Sequence, residues 1–172
     1  MFGGWEGVLE RIKDVPGDLA EFGVFEGENV LAMARTGRHV WAWDTFEGMP
    51  DDDYIEVLDR SDPPGKWKPN CDVIRKLAVS GMYITPVVGR FSHTLKAFGQ
   101  GDQEKGIKFA FVNIDCDNYW AYKRVLEFIT PRMSPGGVVR LDDYECCDGA
   151  QKATDEWLTE TGKKLEGDWI YF

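Results

Sequence analysis

The sequence predicts one α/β domain, a doubly wound, mostly parallel sheet of about six or seven strands with helices on both faces. Apolar segments rich in β-branched and aromatic residues alternate with helical segments, as in consecutive βαβ units. Residues 108–117 form a nearly continuous apolar run that ends in acids, which is typical of a central strand covered on both faces. Right-handed crossovers between such strands give a Rossmann-like fold, and 172 residues suit a single domain.

The predicted elements follow one another without an internal repeat. Strands are expected at 19–25, 38–46, 82–89, 108–117, 138–144 and 167–172. Helices are expected at 26–37, 71–81, 119–131 and 148–162, with one short helix capped by Ser92. Asp148 is the expected N-cap of the last helix, and MSPGG, residues 133–137, is expected to form a turn. Ligands should therefore bind at the carboxyl ends of the strands.

Residues 47–70 are the longest irregular segment. They hold four of the eight prolines, many acidic residues and little periodicity. A long irregular segment inside a compact domain is often a lid or a substrate loop. We predict that role for 47–70 within the single domain 1–172.

The charge of the chain argues against polyanionic partners. It carries 20 Lys and Arg against 30 Asp and Glu, a formal charge of −10, and the basic residues are scattered. Nucleic acid binding normally needs a basic stripe, and anionic membranes repel an acidic protein. The expected partner is a small molecule.

The four cysteines predict free thiols. Cys71, Cys116, Cys146 and Cys147 form no CxxC pair, and adjacent cysteines have poor disulfide geometry. The first residues lack the apolar core of a signal peptide, and no apolar run approaches the ~20 residues of a membrane span. These features predict a cytoplasmic protein.

Two residues indicate a nucleoside ligand. Gly23, in EFGVFEG, ends the first predicted strand, where the absence of a Cβ atom lets the backbone approach a ligand. The segment is not GxGxxG, and alone it fits a structural turn equally well. Asp44 ends the second strand 21 residues later, the spacing at which a carboxylate accepts hydrogen bonds from ribose hydroxyls. The alternative for Asp44 is an N-cap for the next segment.

Four acids follow the fourth and fifth strands: Asp115, Asp117, Asp142 and Asp143. The ends of neighbouring strands lie ~4.8 Å apart, so these carboxylates would crowd and favour a cation. A hard divalent ion takes such oxygen ligands. We predict that Asp115 and Asp142 bind it, whereas Asp117 and Asp143 could equally cap helices or face solvent.

The order of several segments resembles a known family. EFGVFEG, WDTFEGMP, VGRFSHTL, IDCDNYWAYKRVLEFITPRMSPGGVVRLDDY and AQKATDEW resemble, over residues 17–158, the macrocin O-methyltransferase (TylF-type) family. Its members are class I methyltransferases that use S-adenosylmethionine (SAM) to methylate sugars and small molecules. Cys116 and Asn118 stand where members usually carry Gly and Leu.

The resemblance implies roles for individual residues. Asp115, Asp142 and Asp143 would bind Mg²⁺ or another divalent cation, and Asp115 or Asp117 would accept the proton of the acceptor hydroxyl. The substrate lid would be short, or would come from 47–70 or from a second subunit of a homo-oligomer. The implied cofactor-binding residues are Glu21, Gly23, Val24, Gly27, Asp44, Thr45, Phe46, Gly89, Phe91 and Asp115.

Three other functions are weighed against this one. A nicotinamide-dependent oxidoreductase needs the glycine fingerprint that the chain lacks. A phosphoryl-transfer enzyme would place its Asp-x-Asp pair on the first strand before a Thr, whereas Asp115 and Asp117 follow the fourth strand. A non-catalytic SAM-binding or assembly protein of the same fold stays open.

Overall fold

The computed structural model describes residues 5–98, 100 and 106–172, which form a seven-stranded sheet of order β3-β2-β1-β4-β5-β7-β6. Strands β1 to β5 pair in parallel, and β7 runs antiparallel to β5 and β6. The predicted mostly parallel α/β fold is confirmed. The strands are β1 Asp18–Phe22, β2 Val40–Asp44, β3 Ile84–Val88, β4 Phe109–Ile114, β5 Met133–Leu141, β6 Leu165–Glu166 and β7 Trp169–Tyr171.

Helices cover both faces of the sheet, as predicted. Within the described residues they are α1 Trp5–Arg11, α2 Glu28–Ala34, α3 Val73–Val79, α4 Phe91–Ala97, α5 Tyr119–Ile129 and α6 Asp148–Thr161. One buried apolar cluster takes side chains from α4, α5 and α6, and a second takes them from α2 and α3. In this part of the chain no helix has both the length and the apolar character needed to cross a membrane.

The strand order reverses between β1 and β4, the kind of switch point where doubly wound folds bind ligands. All six residues of β4 are buried, which explains its continuous apolar sequence. The register aligns Phe22 with Ile114 and Ile114 with Leu141. The residues that follow these three strands are therefore delivered to one edge of the sheet.

Three local predictions are wrong. Ser92 lies inside α4, whose N-cap is Arg90, and Asp148 lies in the first turn of α6, whose N-cap is Cys147. The MSPGG segment begins β5 instead of forming a turn. The backbone of this segment bonds to that of Phe172, because the N–H of Gly136 donates to the carbonyl of Phe172 (2.7 Å). A propensity for turns yields here to non-local strand pairing.

Candidate active site

A cavity of about 240 Å³ opens at the carboxyl ends of β1 to β4. Seven of the residues singled out from the sequence line it: Gly23, Asp44, Thr45, Gly89, Phe91, Asp115 and Asp117. The structure thus brings the residues expected to bind a nucleoside, at the ends of the first three strands, together with the acids that follow β4.

Four of the predicted cofactor residues lie outside the cavity lining. The side chain of Val24 is 5% exposed and belongs to the core beside α2 and α3, and Phe46 packs against the same cluster. Gly27 is the N-cap of α2 and faces Leu77. Glu21 is buried within the sheet. Because none of these four residues lines the cavity, the geometry does not support their direct contact with a cofactor.

The carboxylate of Asp44 organises the loops after β1 and β2. Its Oδ2 accepts the backbone N–H groups of Val24 (2.7 Å) and Phe25 (2.9 Å), and its Oδ1 accepts that of Phe46 (2.7 Å). The bond to Phe46 closes a local turn and is not a helix N-cap, since no helix begins directly after β2. Thr45 Oγ1 also lies 3.4 Å from Oδ1, but its single proton goes to the carbonyl of Gly48 at 2.8 Å. A carboxylate offers about four lone-pair sites, so Oδ1 keeps capacity for a further donor such as a ribose hydroxyl.

The acids after β4 and β5 converge. Carboxylate oxygens of Asp115, Asp142 and Asp143 all lie within 4.8 Å of one another. Asp142 forms an ion pair with Arg140. Asp143, which is 4% exposed, accepts the backbone N–H of Asp117 (3.0 Å) and the hydroxyl of Tyr122 (3.0 Å). The predicted cluster forms, and Asp143 is held in a fixed orientation inside it.

The cluster carries more negative charge than its surroundings compensate. Burial, followed by the charge of Asp143, raises the pKa of Asp115 well above its ordinary value. Burial raises the pKa of Asp143 to about 6, although its hydrogen bonds act in the opposite direction. Crowded carboxylate oxygens at this spacing are a ligand set that a hard divalent cation takes.

Asp117 reaches the cavity through an unusual backbone conformation. Its φ of 58° lies in the left-handed region, which Asp tolerates better than most residues. Burial, followed by the charge of Asp143, raises the pKa of Asp117 to about 8. A carboxylate with a pKa near neutrality is suited to accept and hold a proton.

Residues 47–70 contain no helix or strand, as predicted, but they are firmly anchored. Three aspartates of this segment, Asp53, Asp59 and Asp62, are 1%, 2% and 4% exposed. Asp53 pairs with Arg124 of α5, and Asp62 accepts the indole N–H of Trp67 (2.7 Å). The segment is therefore a packed loop rather than a solvated acidic run.

Asp59 ties this loop to the helices behind the site. Its carboxylate accepts the backbone N–H groups of Ile55 (2.7 Å) and Tyr119 (3.0 Å), the first residue of α5. Space for it exists because Gly149 of α6 has no side chain; a Cβ atom there would overlap with Asp59 Oδ1. The loop position is thereby coupled to the helix that follows Asp115 and Asp117.

Two aromatic side chains of the cavity, Trp67 of the loop and Phe25 after β1, were missed by the sequence reasoning. Trp67 lines the cavity and is 46% exposed, and its ring meets that of Phe25 edge-on at 5.7 Å between centroids. Both residues have left-handed backbone conformations, with φ of 58° and 48°. The only sequence signal was an aromatic residue inside an irregular segment, and that does not specify a position beside the cavity.

Glu21 is buried without full compensation. Its Oε1 accepts the side-chain amides of Asn29 (2.9 Å) and Asn113 (2.8 Å), while Oε2 has no hydrogen-bond partner among the described residues. Burial raises the pKa of Glu21 to about 8. The folded protein therefore keeps this side chain protonated at neutral pH.

We expect Glu21→Gln to stabilise the protein in alkaline solution. Between pH 4.5, the ordinary pKa, and about 8 the folded chain holds a proton that the unfolded chain has released. Stability therefore falls as the pH rises through that window. The uncharged amide removes this loss, and the free energy of unfolding should exceed that of the wild type by roughly 2 kcal/mol at pH 8. Urea unfolding across pH 4 to 8 measures the difference.

The exposed Glu166 provides the control for this experiment. Glu166→Gln should leave the wild-type pH profile in place. Parallel stability profiles for Glu21→Gln and the wild type would contradict a buried, protonated Glu21.

The sheet order, the cavity at the strand reversal and the acids from β2, β4 and β5 define a Rossmann-like domain of the class I methyltransferase type. The chain belongs to the macrocin O-methyltransferase (TylF) family. The model of that family, described as Macrocin-O-methyltransferase (TylF), matches residues 6–168. The resemblance seen in the sequence is confirmed.

Named relatives agree with this assignment. The 8-demethyl-8-(2,3-dimethoxy-alpha-L-rhamnosyl)-tetracenomycin-C 4'-O-methyltransferase of Streptomyces olivaceus is 31% identical over 148 residues, which are 76% of this chain and 54% of the relative. The Mycinamicin III 3''-O-methyltransferase of Micromonospora griseorubida is 29% identical over 169 residues, 86% of this chain and 63% of the relative. The chain thus spans between half and two thirds of the length of these relatives.

A solved structure extends the comparison to the fold. The O-methyltransferase NovP superposes with a TM-score of 0.74 at 26% identity, covering 97% of this chain and 77% of that chain. The described architecture is therefore that of a known methyltransferase structure.

Proposed function

We propose that this protein transfers the methyl group of SAM to a hydroxyl of a sugar or other small molecule, with assistance from Mg²⁺ or another divalent cation. The observation that carries the proposal is the convergence of Asp115, Asp142 and Asp143 within 4.8 Å, with Asp115 lining the same cavity as Asp44. Family membership supports it, and the relatives are named as O-methyltransferases that act at the 4' and 3'' positions.

The cofactor would lie across the ends of β1, β2 and β3. Asp44 has capacity for one ribose hydroxyl at Oδ1, and Gly23 and Gly89 leave the adjacent wall without side chains. Phe91 offers an aromatic surface, 8% exposed, to the adenine. Since the cofactor carries the reactivity, the task of these residues is alignment.

The residues present fit a divalent cation held by Asp115, Asp142 and Asp143. When bound, such an ion lowers the pKa of a hydroxyl and fixes neighbouring substrate oxygens. Tyr122 and the backbone N–H of Asp117 hold Asp143 in place, and Arg140 holds Asp142. The carboxylate of Asp117, which lines the cavity, would take the proton of the acceptor hydroxyl.

The test combines binding with turnover. Calorimetry should detect S-adenosylhomocysteine binding with and without Mg²⁺. Methyl-labelled SAM should label neutral glycosides bearing free 6-deoxyhexose hydroxyls in the presence of Mg²⁺ and lose that activity in excess chelator. Unchanged turnover in chelator would remove the metal from the proposal, and cofactor binding without labelling of any glycoside or phenol would favour the non-catalytic alternative.

Trp67 is expected to contribute to acceptor binding. Its exposed ring and that of Phe25 form an apolar wall suited to the face of a sugar ring. We expect Trp67→Ala to raise KM for the acceptor about tenfold, the loss of roughly 1.4 kcal/mol of contact, with kcat within a factor of ~3.

A matched variant separates packing from the hydrogen bond to Asp62. Trp67→Phe keeps a ring but loses the indole N–H. Its KM for the acceptor should lie between that of the wild type and that of Trp67→Ala. Steady-state kinetics with each substrate varied in turn measures the effect. An increase in KM for SAM alone would assign Trp67 to the cofactor instead.

A further inference from the structure

Two adjacent thiols lie next to Asp143 of the acidic cluster. Cys146 and Cys147 are free cysteines in the turn between β5 and α6, and their Sγ atoms lie 3.3 Å apart. Cys146 is exposed and Cys147 is 9% exposed. Both backbone N–H groups donate to the carbonyl of Asp143, at 3.2 and 3.0 Å. The turn therefore holds the two thiols together and wraps them around Asp143.

These sulfur atoms form a set of potential metal ligands. One ligand atom each from Asp143, Cys146 and Cys147 lies within 4.8 Å of the others. A neighbouring set with the same spacing comprises Asp62, Asp117 and Cys147. Magnesium prefers oxygen ligands, whereas zinc and other thiophilic ions take sulfur. The two thiols thus present a different coordination chemistry from that of the all-oxygen cluster.

We propose that Cys146, Cys147 and Asp143 bind Zn²⁺, and that this binding inhibits the enzyme. Tetrahedral zinc with Zn–S bonds of about 2.3 Å holds its two sulfurs about 3.8 Å apart, so the observed 3.3 Å needs only a small widening that rotation of the exposed Cys146 side chain supplies. Each thiol releases its proton to solvent as the bond to zinc forms, and nothing is oxidised or reduced. The exposed Cys146 gives the ion a path from solvent.

Inhibition follows from the position of Asp143, and this part rests on the proposed function. Asp143 belongs both to the thiol set and to the all-oxygen set with Asp115 and Asp142. Zinc at the thiols would withdraw a ligand from the all-oxygen set.

Cobalt(II) provides a probe that does not depend on turnover, because its absorption spectrum reports thiolate ligands directly. Adding Co²⁺ to the metal-free, reduced, full chain should produce a thiolate charge-transfer band in the near ultraviolet, which Zn²⁺ should abolish by displacement. Cys146→Ser and Cys147→Ser should lose most of the band, and Cys71→Ser, which changes the exposed cysteine before α3, should keep it. If the buried Cys147→Ser variant fails to fold, the exposed Cys146→Ser variant decides alone. A wild-type spectrum without the band, or a band that survives in Cys146→Ser, overturns the site.

Kinetics tests the inhibitory role separately. In saturating Mg²⁺, Zn²⁺ should inhibit the wild type and Cys71→Ser equally, and Cys146→Ser should need at least about ten times more Zn²⁺ for the same inhibition. Equal sensitivity of all three proteins would refute inhibition through the thiols. An absence of methyl transfer under every condition, together with an intact cobalt spectrum, would reject the proposed function and leave the zinc site standing.

Discussion

Asp115→Asn should lower kcat by at least about 10³-fold and leave the dissociation constant of SAM within a factor of ~3. The amide is isosteric, and the backbone N–H of residue 115 still bonds to the carbonyl of Phe22. What is lost is an anionic oxygen that faces both the cavity and the carboxylates of Asp142 and Asp143. In the proposed mechanism turnover depends on that charge, whereas the cofactor contacts proposed for Asp44 and Gly89 do not.

Stability separates this functional loss from misfolding. Burial and neighbouring acids raise the pKa of Asp115, so its ionised form destabilises the folded state. We therefore expect Asp115→Asn to unfold in urea at the wild-type midpoint or above it. Asp14→Asn, at an exposed position between α1 and β1, serves as the control with unchanged kinetics. Wild-type turnover by Asp115→Asn would exclude the acidic cluster from the reaction.

Most of the fold and part of the site could be predicted because they depend on local patterns. The apolar run of β4 reports that neighbours cover both of its faces. Once β1, β4 and β5 are placed side by side, the acids that follow β4 and β5 must meet at one edge. Asp44 could be found for a similar reason, since its distance from Gly23 along the chain corresponds to one βαβ unit.

The unpredicted features depend on contacts between distant parts of the chain. Asp59 pairs with the backbone of Tyr119, 60 residues away, and nothing near Asp59 indicates that partner. The family resemblance implied a cofactor role for Glu21, yet β1 is central and the side chain of Glu21 meets Asn113 of β4. Local sequence indicates that a residue is polar, but the packing decides whether it faces a ligand, solvent or another buried group.

Gly23→Ala should destabilise the protein by more than about 4 kcal/mol, a loss large enough to unfold many domains. A Cβ atom at Gly23 would overlap with the backbone carbonyl of Asp115, and its φ of 88° is unfavourable for any other residue. Backbone atoms cannot move aside as a flexible side chain can, so β1 and β4 would have to separate. Their separation would displace Asp115 from the acidic cluster.

Gly81→Ala isolates the effect of the overlap. Gly81 has a similar φ of 69°, but a Cβ atom there meets nothing within 4 Å. Its substitution should cost only about 1–2 kcal/mol, the conformational term alone. Urea unfolding of both variants measures the difference, and equal losses would show that the β1–β4 approach is looser than described. A larger loss of stability at position 23 would mean that Gly23 is required for the close contact between β1 and β4. Its position at the cavity would then be a consequence of that contact.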